Sequence, residues 1–140
     1  MSQKVRIAIV GCGGIANNKH MPSLKMFPER AEMVAFCDLI PERAEKAAKE
    51  FGVEGAKVYT DYKEMLADKS VEFDTVHVCT PNAAHAPITV AAFAAGKNVM
   101  CEKPMAHTVE AAREMLEAWK ASGKKFTIGY QNRFREDAQT

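Results

Sequence analysis

Strand-length runs rich in Val and Ile alternate along this chain with stretches of helical period. That rhythm predicts a doubly wound α/β fold: six parallel strands in the order 3-2-1-4-5-6 with helices on both faces. A second observation supports it: Gly11-Cys12-Gly13-Gly14-Ile15-Ala16 stands where the first apolar run gives way to the first helix. A third is size, since 140 residues with 47% apolar content suit one domain with a real core.

The elements follow in order. Residues 5–10 read as the first strand, and a helix is expected from about 14 to 26. Residues 32–38 form the second strand. Pro41 suits the first turn of the next helix, where its missing N–H costs nothing. Ala44, Ala47, Ala48 and Phe51 share one face of that helix, which ends at Gly52. Residues 57–60 make a short third strand and residues 62–67 a short helix. Residues 74–79 make the fourth strand, and a helix is expected from about His85 to Ala95. Residues 97–101 make the fifth strand. Thr108 is placed to cap a helix whose expected inner face is Val109, Ala112, Leu116 and Trp119. Residues 125–130 make the sixth strand.

Composition excludes several classes. The net charge of +1 gives no electrostatic footprint for nucleic acid or an anionic membrane. No apolar run approaches the ~20 residues of a membrane span. The N-terminus shows no apolar signal region, and a cytoplasmic protein is expected. Cys12, Cys37, Cys79 and Cys101 form no Cys-x-x-Cys pair, so they read as small buried thiols and no metal site is expected. His20, His77, His85 and His107 lack metal-ligand spacing. His20 either faces the cleft or is structural, and His77 reads as a buried strand residue.

The glycine string carries chemistry because of its place. Gly11 permits the tight turn, Gly13 lets a pyrophosphate approach the backbone, and Ala16 keeps helix and strand close. Gly14 and Ile15 open the helix, whose N–H groups and dipole favour phosphate. Asp38 ends the second strand, where an acid binds the adenosine ribose hydroxyls. Its charge opposes the 2′-phosphate of NADP, and Leu39 and Ile40 offer no cation, so NAD is expected over NADP. The alternative for Asp38 is a turn residue before the Pro41 helix. Together these features describe a dinucleotide-binding Rossmann domain.

More specific strings follow strands four to six: Thr80-Pro81-Asn82-Ala83-Ala84-His85, Ala95-Gly96-Lys97-Asn98-Val99-Met100-Cys101-Glu102-Lys103-Pro104, and Gly129-Tyr130-Gln131-Asn132-Arg133-Phe134. With the glycine loop and Asp38, they resemble the Gfo/Idh/MocA family over essentially the whole chain. That family is named for glucose–fructose oxidoreductase, inositol dehydrogenase and a rhizopine-catabolism protein. The resemblance implies a pyridine-nucleotide oxidoreductase acting on sugars, polyols or related compounds. Carried over, Glu102 binds the nicotinamide ribose. Lys103 is the catalytic residue, bonding the reacting hydroxyl or carbonyl and assisting proton transfer, and it also touches cofactor. Thr80, Pro81 and Asn82 line the cofactor cleft, with turn formation the alternative for Thr80 and Pro81; His85 is counted with the cofactor-binding residues but reads first as a helix-start residue. Gln131 approaches the nicotinamide side. Arg133 binds an anion or forms a surface ion pair.

The family has a second, larger α/β domain carrying the substrate pocket and much of an oligomer interface. Residues 1–140 are therefore expected to be the NAD(P)-binding domain of a longer, homo-oligomeric dehydrogenase, inactive alone. Two other readings stay open: a non-catalytic dinucleotide sensor or scaffold, and a methyltransferase with a similar glycine loop.

Overall fold

The computed structural model describes residues 4–14, 16–80, 82–102, 106 and 108–129. Six strands form one all-parallel sheet: β1 (Val5–Val10), β2 (Ala31–Cys37), β3 (Lys57–Tyr59), β4 (Thr75–Val78), β5 (Asn98–Glu102) and β6 (Phe126–Gly129). Their order is β3-β2-β1-β4-β5-β6, as the alternation of strand and helix predicts. The chain reverses its direction of travel across the sheet between β1 and β4. A crevice opens at such a switch point, outside the carboxyl ends of the strands.

Side-chain alternation gives the sheet two apolar faces. Ala8, Val10, Val76, Val78, Val99 and Cys101 point to one face. There they meet helices α3 (Tyr62–Ala67), α4 (Asn82–Ala94) and α5 (Val109–Ser122) through Met65, Ile88, Phe93 and Met115. Ile7, Ile9, Met33 and Phe36 point to the other face. They pack on Ala16, on Met21 of α1 (Met21–Lys25), and on Ala44 and Ala47 of α2 (Pro41–Phe51). The β1–β2 register slips between Ile7 and Ala8, so Val34 and Ala35 both serve the first face.

Three elements differ from expectation. The first helix begins with a π-helical turn over Ala16–His20 before α1. Pro22 explains the widening: in an α-helix its ring would press on the carbonyl four residues back, and it offers no N–H there. Helix α4 starts at Asn82, one turn earlier than expected. In α5 the inner face is Ala111, Met115, Ala118 and Trp119. Val109 is 72% exposed and Leu116 is 40% exposed, so both stand outside the expected stripe. The cap by Thr108 is as expected, its side chain accepting from the Ala111 N–H at 3.0 Å.

Among the described residues no helix is long and apolar enough to cross a membrane. The corrected α5 face gives a direct contrast in stability. Met115→Ala is expected to cost about 2–5 kcal/mol, the range for emptying a buried methionine site. Val109→Ala is expected to stay within about 0.5 kcal/mol. Urea unfolding of the two variants measures both.

Candidate cofactor site

The strand register builds the site. Val10 pairs with Cys37 on one side and Val78 on the other, and Val78 pairs with Cys101. The next residues along, Gly11, Asp38, Cys79 and Glu102, therefore share one row at the carboxyl edge of the sheet.

At the head of this row the β1 and β4 exits touch. Gly11 has φ +93°, and a Cβ there would lie 2.8 Å from the Cys79 carbonyl carbon and oxygen and 2.9 Å from the Thr80 nitrogen. Only glycine fits both the backbone angle and the space. The Gly11 N–H donates to the Cys37 carbonyl and the Cys79 N–H to the Val10 carbonyl, each at 2.8 Å. Gly13 is different. A Cβ there would meet only Arg43 Nη1, at 3.7 Å. The protein's own packing does not demand glycine at 13, whereas a ligand seated on the loop would.

Asp38 holds the loop by its carboxylate. One oxygen accepts from the Cys12 N–H at 2.8 Å, and the other accepts from the Ile40 N–H at 2.8 Å. Asp38 thus forms the turn before α2, as the alternative reading expects, and also stands against the glycine loop. Two partners leave an ionised carboxylate with accepting capacity for further hydroxyls. Asn17 braces the loop from the other side. Its amide donates to the Cys12 carbonyl at 2.6 Å and the Gly13 carbonyl at 2.9 Å. With those carbonyls tied inward, the loop keeps acceptors away from an approaching anion. Ala16 is fully buried, and Gly14 is exposed at the start of the helical segment.

The β4 exit adds polar groups. The Thr80 Oγ1 is buried with no hydrogen-bond partner among the described residues. The Thr80 carbonyl accepts from His85 Nε2–H at 2.8 Å. His85 is fully buried, so its bearing on the cleft runs through Thr80. Glu102 ends β5 and is buried, with its carboxylate 2.5 Å from His20 Nε2. The His77 ring lies edge-on to His20, with centroids 5.8 Å apart. Burial, and then repulsion from His20, press the His77 pKa down to about 4, so this ring is neutral.

The four thiols cluster along the same edge and are inert there. Burial first, then Asp38, push Cys12 and Cys37 up to about 12. Burial pushes Cys101 up to about 12, and burial with Glu102 pushes Cys79 higher still. Nucleophilic chemistry needs the thiolate, which these sites disfavour. Among the described residues no group of His, Cys, Asp or Glu could hold a metal ion.

The residues present fit a dinucleotide. Gly13 leaves open space where a side chain would stand, Asp38 keeps free lone pairs, and Thr80 offers an unmatched hydroxyl. Of the sequence-predicted residues, Gly11, Gly13, Gly14, Ala16, Asp38, Thr80 and Glu102 come together on this edge. The backbone of Asn82 opens α4 beside them. Ile15, Pro81, Lys103 and Gln131 lie outside the described residues, as does Arg133. Sequence reasoning missed Asn17, Arg43 and the His20–Glu102 contact. Arg43 was findable, since Pro41 starts a helix whose third residue looks back toward the glycine loop.

Residues 5–130 match the family described as an oxidoreductase family with an NAD-binding Rossmann fold. The chain belongs to the Gfo/Idh/MocA family. D-glucoside 3-dehydrogenase of Escherichia coli (strain K12) is 38% identical over 138 residues, covering 99% of this chain and 38% of that protein. Inositol 2-dehydrogenase of Salmonella paratyphi B is 37% identical over 131 residues, covering 93% and 38%. Among solved structures, the WlbA dehydrogenase of Chromobacterium violaceum, in complex with NADH and UDP-GlcNAcA, superposes with a TM-score of 0.90 at 35% identity. That match covers 99% of this chain and 38% of the other. The scyllo-inositol dehydrogenase of Lactobacillus casei, with bound NAD(H) and scyllo-inositol, gives a TM-score of 0.84 at 27% identity, covering 96% and 38%. The chain thus spans about 38% of the length of the curated relatives. This Gfo/Idh/MocA domain is an NAD-binding Rossmann fold.

The two loop glycines are expected to fail differently. Gly11→Ala should destabilise the fold by about 2–4 kcal/mol, combining backbone strain with a backbone clash. Gly13→Ala should keep stability within about 1 kcal/mol and weaken NAD about tenfold, because its methyl enters ligand space. Thermal unfolding and NAD titration calorimetry separate the two effects.

Proposed function

We propose that this domain binds NAD in preference to NADP and serves a cytoplasmic dehydrogenase that moves a hydride between nicotinamide and a carbinol carbon of a sugar or ring polyol. The observation that carries the reading is the common row of Gly11, Asp38 and Glu102 at the switch-point edge, with open space over Gly13. The relatives act on glucosides and inositols by name, and a structural neighbour holds UDP-GlcNAcA with NADH. These names support a polyhydroxylated ring as the substrate class.

The bound nicotinamide cofactor supplies the hydride acceptor or donor. The domain's own residues do the rest. The turn from Gly13 into the helix presents N–H groups and the positive helix end to the diphosphate. The Cys12 N–H is already taken by Asp38, so the donors come from Gly13 onward. Arg43, exposed at the start of α2, brings a cation over the same loop. Asp38 accepts the adenosine ribose hydroxyls and repels a 2′-phosphate. Thr80 Oγ1 bonds the cofactor across the cleft. Glu102 accepts the nicotinamide ribose hydroxyls. Lys103, next in the chain, is assigned the proton: its ammonium hydrogen-bonds the substrate oxygen and stabilises the alkoxide that develops there. Pro81, Asn82, His85 and Gln131 complete the cofactor surroundings in this reading. The longer dehydrogenase is proposed to supply the substrate pocket and to assemble as a homo-oligomer.

Calorimetry on residues 1–140 should show NAD binding with a Kd in the micromolar-to-millimolar range, a free energy of about −4 to −8 kcal/mol. Asp38→Ser should lower the NAD:NADP affinity ratio by about tenfold or more. The ratio cancels any loosening of the glycine loop that affects both cofactors equally. No binding at millimolar NAD, or an unchanged ratio, would contradict the assignment.

A further inference from the structure

The buried contact between His20 and Glu102 has a consequence for the nicotinamide half of the site. We propose that His20 is a positioning residue that fixes the Glu102 carboxylate for the nicotinamide ribose, with His77 as the wall that fixes His20. The proposal rests on the assignment of Glu102 to that ribose.

The geometry supports it from three directions. First, the Glu102 and His20 side chains are 8% and 6% exposed, and Glu102 Oε2 meets His20 Nε2 at 2.5 Å. A carboxylate so far out of water needs a hydrogen-bond donor to hold it in place. Among the described residues, His20 is the donor in contact with it. Second, His20 arrives there by way of the π-helical turn Ala16–His20, a rare element enriched at functional sites. The next residue, Met21, is fully buried and anchors the turn against the sheet. The segment that starts as the phosphate loop therefore ends on the acid of β5. Third, His77 stands edge-on to His20 at 5.8 Å, and its Nδ1 has no hydrogen-bond partner among the described residues. His77 restricts the His20 ring by contact and not by a competing hydrogen bond, so the His20 Nε2 stays directed at Glu102. Burial keeps the His77 ring neutral beside His20.

The mechanism follows from these contacts. With His20 in place, the Glu102 carboxylate is held at one angle, and its other oxygen is left to accept from ribose hydroxyls. Without it, the buried acid loses its fixed orientation. Binding of the nicotinamide ribose then falls, while the adenosine and diphosphate contacts at Asp38 and Gly13 stay as they were.

The test compares NAD with ADP, which lacks the nicotinamide ribose, by calorimetry on the 140-residue chain. His20→Phe keeps the ring and removes the donor. It should weaken NAD about tenfold and leave ADP within about twofold. His20→Gln, whose amide N–H sits near the position of Nε2, should restore most of the NAD affinity. Glu102→Gln should weaken NAD without changing ADP. If Glu102→Gln leaves NAD unchanged, the ribose assignment fails and the proposal falls with it. If Glu102→Gln weakens NAD but His20→Phe does not, the proposal alone is overturned. Equal loss of NAD and ADP in His20→Phe also overturns it, since that marks a general structural role. Should the variants fail to fold, imidazole nitrogen shifts of His20 in the unaltered protein decide the matter. They should move on adding NAD and stay still on adding ADP, and the reverse pattern or no movement with NAD contradicts the proposal.

Discussion

Gly11 is pressed between the exits of β2 and β4, and the rest of the site depends on that contact. No side chain fits there, because the Cys79 carbonyl and Thr80 nitrogen stand within 2.9 Å of where a Cβ would be. The positive φ turns the chain abruptly out of the sheet, and two flanking backbone bonds lock the turn to both neighbours. The loop beyond is thereby aimed over the carboxyl edge at the switch point. Asp38 and Thr80 follow the strands on either side of this position, and Glu102 ends the strand beyond β4.

Charge is managed around the loop in a consistent way. Asp38 and Asn17 tie down the backbone groups that would otherwise confront a ligand at random: one accepts from Cys12, the other donates to the Cys12 and Gly13 carbonyls. Arg43 adds positive charge above Gly13. The thiols of Cys12, Cys37, Cys79 and Cys101 fill the edge as neutral apolar groups, held protonated by burial. At the far end Glu102 is buried but matched by His20. The edge therefore runs from Asp38 after β2, past the glycine loop after β1, to Glu102 at the end of β5.

The parts of this arrangement that repeat locally were legible in the amino-acid order. Val and Ile runs separated by helical periods gave the strand order, because each parallel crossover needs a helix of its own. The glycine string and Asp38 were legible because turn geometry and strand ends place them within about 30 residues of each other. The inner face of α5 was misjudged because alanines 111 and 118 hide the stripe that Met115 completes, while the conspicuous Val109 and Leu116 face outward. The His20–Glu102 contact spans 82 positions and leaves no periodic trace. Nor did anything local announce the π-helical turn that delivers His20, apart from Pro22. The family resemblance supplied the chemistry of Glu102 and Lys103, which strand and helix patterns do not carry.

The central claim is that the carboxyl edge of the sheet is the cofactor site. Amide chemical-shift mapping of the 140-residue chain during NAD titration tests it most directly. The account predicts progressive shifts at Gly13, Gly14, Asp38, Thr80 and Glu102. It predicts none at Asp74, Asn98 and Lys125, which lie at the opposite edge. Shifts confined to that opposite edge, or none anywhere at millimolar NAD, would contradict it.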